Sequence, residues 1–85
     1  MMNDITLWIV NWFVDNCGQN KEEIIKHRND NYFASGFVDS FKFIKMISDA
    51  EEKFNIEFDN EQFEDRSFST IVGLESIIER LISNG

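Results

Sequence analysis

The stretch Gly36-Phe37-Val38-Asp39-Ser40-Phe41 lies near the middle of an 85-residue chain and opens its clearest amphipathic helix. It places the Ser40 hydroxyl at a helix N-terminus, where free backbone N–H groups and the helix dipole favour a phosphate group. No pair of a base and a residue that orients the base is evident for this hydroxyl. A presented but unactivated serine is more typical of a modification site than of a nucleophile.

The residues that follow Ser40 have the spacing of one buried helical face, at intervals of three and four residues. This predicted core face contains Phe43, Met46, Ile47, Ala50 and Phe54. Phe41 lies on the opposite side of the helix, and Ile44 lies at the border between the two sides. An apolar side chain that faces water beside Ser40 indicates a contact for a partner. The alternative is that Phe41 packs under the preceding loop.

Upstream of this helix, residues 4–16 predict a first helix, with Asn3 or Asp4 as its N-cap. The segment is apolar on nearly all sides, and its β-branched and aromatic residues would also permit a strand. Gly18 is a plausible C-cap. A short helical turn is expected over residues 20–26, followed by a polar loop, and residues 32–33 then return the chain to the core.

Downstream, residues 54–58 alternate between apolar and polar side chains and predict an extended connector. Asp59 or Asn60 could cap a brief helix that carries Phe63. Ser67 or Ser69 is expected to cap the last helix. The apolar stripe of that helix consists of Ile71, Leu74, Ile77, Ile78, Leu81 and Ile82.

The helices together predict an all-α fold, a small irregular four-helix bundle. Three helices are longer and one is short, and a long loop joins the first two main helices. The chain has the length of one domain, so we expect residues 1–85 to form a single unit. We also expect a monomer.

The net charge of −8 argues against partners that present phosphates, namely nucleic acids and anionic membranes. No secretory signal is recognisable, and the apolar segment before Asn16 is too short to span a bilayer. The single cysteine, Cys17, cannot form an internal disulfide, which favours a reducing, cytoplasmic setting. The single histidine, His27, has no metal-ligand partners at suitable spacing, so no metal site is expected.

The stretch from Tyr32 to Phe41 resembles the phosphopantetheine attachment site of acyl carrier proteins, in which an aromatic residue and a glycine-containing turn precede Asp-Ser-Leu. The resemblance continues through Phe54, residues 56–58 and residues 68–71. The Gly-x-x-Asp-Ser form is similar to that of stand-alone carriers such as the D-alanyl carrier proteins. Phe41 replaces the usual leucine or methionine, and a proline common in the family is absent. Lysines at positions 42 and 45 replace the usual acidic residues.

The resemblance implies that a phosphopantetheinyl transferase attaches 4'-phosphopantetheine covalently to Ser40, and that Asp39 caps the helix and places the hydroxyl. The thiol of the arm would carry acyl intermediates as thioesters, in fatty acid, polyketide or cell-surface biosynthesis. Implied partners are an acyl- or aminoacyl-loading ligase and an acyltransferase or synthase, and the carrier itself is not an enzyme and has no catalytic residue. The expected partner-binding residues are Phe41, Ile44, Lys45, Glu51 and Glu52.

Two alternatives to the acyl carrier remain open at this stage. The first is an aminoacyl carrier of the D-alanyl type. The second is a cofactor-free acidic helical adaptor that happens to contain Asp-Ser. A hydrolase that uses Ser40 lacks any base and orienting residue in the sequence.

Overall fold

The computed structural model describes residues 3–84, in which the three longer helices stand as predicted and no strand occurs. The helices are α1 (Asp4–Cys17), α2 (Lys21–Lys26), α3 (Ser40–Phe54), α4 (Asn60–Glu64) and α5 (Ile71–Asn84), with a 3-10 helix (Arg66–Ser69) between α4 and α5. The all-α class and the long loop between the first two main helices are therefore confirmed. In the described range, no helix is long and apolar enough to cross a membrane.

The first helix begins and ends at polar or flexible residues that satisfy its free backbone groups. The Asn3 side chain accepts a hydrogen bond from the Thr6 amide at 2.9 Å, and Gly18 ends the helix in the left-handed region at φ 72°. Ile9, Val10 and Phe13 are all at most 1% exposed. Burial on more than one face explains why the segment is apolar nearly all round, and α1 packs against both α2 and α5.

One core runs through the molecule and includes the loop between α2 and α3. Its buried apolar side chains come from the three longer helices, from α2, from the 3-10 helix and from the loop, and they include Ile9, Phe13, Ile24, Tyr32, Phe37, Val38, Met46, Ile47, Ala50, Phe68, Leu74 and Ile78. The partly buried Phe43 and Phe54 pack against this core, as the predicted face of α3 requires.

The loop enters the core at different residues from those predicted. Tyr32 is buried as expected, but Phe33 is 41% exposed, and Phe37 and Val38 are buried in its place. The reason is a turn at Gly36, whose φ of 79° is readily accessible only to glycine. After this turn the amides of Phe37 and Val38 both donate to the Tyr32 carbonyl, at 3.0 and 3.3 Å.

The start of the last helix also differs from the prediction. Ser67 and Ser69 lie inside the 3-10 helix and do not cap α5. The residue that does so is Thr70, whose Oγ1 accepts from the Gly73 amide at 2.9 Å and whose carbonyl accepts from the Leu74 amide at 2.8 Å. Ser67 does not cap α5 because it is bound to Asp65, whose carboxylate accepts hydrogen bonds from both the amide and the hydroxyl of Ser67.

Gly73 allows α5 to lie directly against the 3-10 helix. A Cβ atom at this position would come within 1.8 Å of the Ser67 carbonyl oxygen and 2.5 Å of its carbonyl carbon. These are backbone atoms, which cannot turn aside as the end of a side chain can. The contact therefore requires glycine, and it fixes the entry to α5 against the rest of the bundle.

The segment between α3 and α5 follows the predicted order of connector and brief helix. Asn55 ends α3 in the left-handed region, and residues 56–59 have no regular structure. Asp59 caps α4 through a reciprocal capping box with Gln62, which confirms the first of the two predicted caps.

Candidate functional site

The start of α3 is built around the Asp39 side chain. The Oδ1 atom of Asp39 accepts a hydrogen bond from the Lys42 amide at 2.9 Å, and the backbone carbonyl of Asp39 accepts one from the Phe43 amide at 2.9 Å. The first turn of a helix has amides without intrahelical acceptors, so those of Ser40 and Phe41 lie outside the helical ladder. Ser40 is exposed as the first residue of α3. The arrangement offers a hydroxyl beside two free donors and the positive end of the helix dipole.

Tyr32 anchors the loop that delivers the chain to Ser40. Its hydroxyl donates to the Phe68 carbonyl, and its amide donates to the Ser69 carbonyl at 2.9 Å. Burial raises the pKa of the Tyr32 hydroxyl far above its ordinary value, so the hydroxyl keeps its proton and donates. The Asn31 side chain accepts from the amides of Phe33 and Ala34 and shapes the next turn. The loop is therefore held at its buried end and open at Ser40.

The Ser40 hydroxyl forms no hydrogen bond with any group in residues 3–84, so the described chain offers it neither a base nor a competing donor. The ring of the single histidine, His27, has other neighbours. Its Nδ1 lies 2.8 Å from an Asp30 carboxylate oxygen and its Nε2 lies 3.6 Å from one of Glu23. Within residues 3–84, no side chain is therefore placed to activate the Ser40 hydroxyl as a nucleophile.

The outward face of α3 carries the two most exposed large apolar residues among those described. Phe41 is 85% exposed and Ile44 is 66% exposed, which confirms the predicted position of Phe41 off the core. They are three residues apart, so they lie on the same side of the helix, within about one turn of Ser40. Large apolar side chains exposed side by side in this way are typical of protein-contact surfaces.

Lys45 lies on the same side of α3 and is held by two neighbours. Its Nζ is 3.0 Å from Asp49 Oδ2 and 5.9 Å from the centre of the Trp12 ring. The Trp12 indole N–H also donates to Asp49 Oδ2, at 2.8 Å. The hydrogen bonds from Trp12 and then from Lys45 lower the pKa of the Asp49 carboxyl below its ordinary value. This cluster joins α1 to α3.

The two predicted partner-binding glutamates occupy different surroundings. Glu51 is half-buried, and its carboxylate accepts from the Phe58 amide at 3.0 Å, so it helps hold the connector after α3. Glu52 is exposed, about two turns beyond Lys45. Ser40, Phe41, Ile44 and Lys45 thus lie together on the first half of α3, whereas Glu51 does not project freely from it.

Sequence reasoning missed that the end of α1 lies beside this site. Burial raises the pKa of the Cys17 thiol, while the charge of Lys42 opposes that rise and the charge of Asp39 adds to it. Both charges belong to the first turn of α3 or its cap. No sequence pattern could have shown this proximity, because the end of α1 comes near the start of α3 only through the packing of the two helices.

The family of the chain follows from a comparison with known proteins. The model of the phosphopantetheine attachment site family matches residues 8–77. No curated protein and no solved structure is significantly similar to the chain. Domains of this family hold 4'-phosphopantetheine covalently, are typically non-catalytic, and work with transferases and with synthases or ligases. The chain belongs to the phosphopantetheine attachment site family and is a phosphopantetheine carrier protein.

Proposed function

We propose that Ser40 is the residue to which 4'-phosphopantetheine is attached, and that residues 1–85 act as one acyl carrier domain. The single observation that carries this proposal is the exposed Ser40 hydroxyl at the first position of a helix, with no protein partner in the described range. The free amides of Ser40 and Phe41 and the helix dipole fit the phosphate of the group. None of residues 3–84 covers the hydroxyl against an incoming enzyme.

The chemistry at Ser40 is a phosphoryl transfer from coenzyme A. The Ser40 oxygen forms a bond to the phosphorus next to the pantetheine, the pyrophosphate bond breaks, and adenosine 3',5'-bisphosphate leaves. The hydroxyl proton goes to a base of the phosphopantetheinyl transferase, because the described residues hold none against Ser40. When bound, the group supplies a terminal thiol that holds cargo as a thioester.

In this proposal Asp39 acts as a positioning residue. By capping the Lys42 amide, it fixes the first turn of α3 and with it the direction of the Ser40 side chain. Asp39 accepts from the Lys42 amide, for which a phosphate on Ser40 would otherwise compete. The amides of Ser40 and Phe41 are therefore left to that phosphate.

The outward face of α3 is the proposed contact for the transferase and for loading ligases, acyltransferases or synthases. Phe41 and Ile44 supply an apolar contact, because burying such exposed side chains is favourable. Lys45 and Glu52 supply charges of opposite sign about two turns apart, which tune the association rate and the register of docking. Glu51 contributes to this face only to the extent that its contact with Phe58 permits.

We propose acyl cargo, as in the acyl carrier proteins that the stretch from Tyr32 to Phe41 resembles, and aminoacyl cargo is the alternative. The chain itself catalyses no step and works in the cytoplasm. The mass of the thioester-bound group after purification from the native host separates acyl from aminoacyl cargo.

Intact mass after co-expression with a broad-specificity phosphopantetheinyl transferase tests the attachment. We expect one added phosphopantetheinyl group on the wild-type chain and none on Ser40→Ala. Ser48→Ala is the matched control, since Ser48 is also an exposed serine of α3, and it should be modified like the wild type. An unmodified wild-type chain would instead support a cofactor-free adaptor.

A further inference from the structure

A pocket of about 330 Å³ lies between the attachment loop, α3, α4 and the 3-10 helix. Its apolar lining consists of four phenylalanine rings, one from each of these segments: Phe33, Phe43, Phe63 and Phe68. The volume lies within the range of small-molecule sites. Sequence analysis did not find this pocket, because its four rings are spread over 36 residues of the chain (33 to 68) and meet only in the fold.

The four rings lie side by side, with faces and edges accessible to a bound group. Between ring centres, Phe43 lies 5.2 Å from Phe33 in a tilted arrangement and 5.7 Å from Phe68 in an edge-to-face one, while Phe63 stacks on Phe68 at 5.3 Å. Phe33 is 41% exposed and Phe63 is 47% exposed, so the pocket is open to water at these two rings. A bound aromatic ring gains favourable ring–ring geometry in addition to the burial of apolar area.

The charges at the rim of the pocket balance. Glu64, Asp65 and Arg66 line it, and Arg80 pairs with Asp65, so two acidic and two basic side chains stand there. Asp65 accepts from Ser67 and lies 3.6 Å from Arg80, so its carboxylate is fixed in place. A rim without net charge suits an aryl group linked as a thioester, which is itself neutral.

The position of the pocket connects it with the proposed attachment site. Phe33 belongs to the loop that leads to Ser40, and Phe43 lies on α3 about one turn after Ser40. A group tethered to Ser40 by a flexible arm is present near the pocket at a high effective concentration. Even a weak preference of the pocket then becomes a measurable occupancy.

We propose that this pocket receives the end of the carrier's own cargo and selects a neutral aryl-acyl group over alkyl groups of similar size. The proposal rests on the proposed function, because it needs an arm on Ser40. Its occupant is the aryl ring of the thioester, held between Phe43, Phe63 and Phe68, with Phe33 at the opening.

The test loads the full chain directly, by using a broad-specificity transferase with benzoyl-, cyclohexanecarbonyl- or hexanoyl-coenzyme A as the donor. Benzoyl and cyclohexanecarbonyl groups differ in aromaticity while their size is nearly the same. We expect the proton resonances of the benzoyl ring to move upfield relative to benzoyl-pantetheine in solution, because of the ring currents of the pocket. Thermal unfolding should occur at a higher temperature for the benzoyl form than for the other two forms.

Phe63→Leu keeps an apolar side chain but removes one ring, so it should abolish most of the upfield shift and of the stabilisation by benzoyl. Phe54→Leu is the matched control, because Phe54 is also partly exposed but packs on Trp8 and does not line the pocket. It should leave both effects unchanged.

Three results would overturn the inference, and they are distinguishable. Loading confirmed by mass, with benzoyl resonances like those of the free thioester, overturns the pocket while the carrier function stands. Equal effects of benzoyl and cyclohexanecarbonyl groups overturn the preference for aryl cargo. Failure of Ser40 to accept any of the groups overturns the proposed function and the inference with it.

Discussion

The starts of α3 and α5 use the same capping device in opposite surroundings. Asp39 caps α3 through the Lys42 amide, and Thr70 caps α5 through the Gly73 amide. The Thr70 hydroxyl is consumed within the fold, because it also donates to the Ser67 carbonyl at 3.2 Å. The Ser40 hydroxyl, one position after the cap of α3, is exposed and keeps its hydrogen-bonding capacity for another molecule.

The difference lies in what surrounds each helix start. The start of α5 is pressed against the 3-10 helix through Gly73 and beside the buried Phe68. The start of α3 is preceded by a loop anchored at Tyr32 and followed by the exposed Phe41. An N-cap residue can thus stabilise the fold alone, or it can also hold a neighbouring functional group exposed in a fixed position.

The largest expected effect contrasts one phenylalanine from each region. Phe68→Ala should lower the free energy of unfolding by about 3–5 kcal/mol, since Phe68 is 4% exposed and contacts the rings of Phe43, Phe58 and Phe63. Phe41→Ala should change it by no more than about 0.5 kcal/mol but weaken binding of the transferase. Urea unfolding measures both. Comparable losses of stability would mean that the two regions do not differ as described.

The next effect probes the close contact at α5. Gly73→Ala should destabilise the fold by about 1–3 kcal/mol, because the new methyl group meets the Ser67 backbone and α5 must shift. Ser76→Ala, at an exposed position of the same helix, is the control and should be nearly neutral. A neutral Gly73→Ala would show that the start of α5 is as loosely packed as that of α3.

A smaller effect separates capping for stability from capping for function. Asp39→Ala and Asp59→Ala each remove an N-cap, so each should cost about 0.5–2 kcal/mol in urea unfolding. Only Asp39→Ala should also slow phosphopantetheinylation, because only Asp39 orients the turn that holds Ser40. Equal rates of phosphopantetheinylation for the two variants would show that Asp39 has no positioning role.

The smallest effect concerns the cluster that ties α3 to α1. The pKa of Asp49 is lower in the folded state than in the unfolded chain, where it is about 3.9. The Asp49 carboxylate therefore stabilises the fold fully above the unfolded pKa. This stabilisation is lost as the pH falls through the lowered pKa of the folded state. Asp49→Asn keeps an acceptor for the Trp12 indole but loses the charge. Wild type and variant should therefore differ in stability near neutral pH and converge in acid. A difference in stability that does not change with pH would show that it does not come from the charge of Asp49.

Local patterns were sufficient to predict the helices that carry the site. The periodicity after Ser40 gave the buried face of α3 and placed Phe41 on the opposite side, because that information lies within a few turns of one helix. The caps at Gly18 and Asp59 were equally local, since each depends on neighbouring backbone groups.

Features that depend on the meeting of distant segments could not be predicted in this way. Phe33 was expected in the core, but the turn at Gly36 buries Phe37 in its place. Ser67 and Ser69 had the chemistry of caps, yet hydrogen bonds from Ser67 to Asp65 placed the 3-10 helix there. The aromatic pocket arises only when the loop, α3, α4 and the 3-10 helix meet, and the contact of Gly73 only when α5 packs on the 3-10 helix.

The most direct test of the account is to locate the phosphopantetheinyl group on the chain. The purified protein is incubated with coenzyme A and a phosphopantetheinyl transferase and is then digested with trypsin. Cleavage after Arg28 and Lys42 releases residues 29–42, which contain Ser35 and Ser40 as their only serines. We expect fragmentation to place the whole added mass on Ser40. Modification at Ser35, at another peptide or nowhere would contradict the claim that the start of α3 is the open, functional helix terminus.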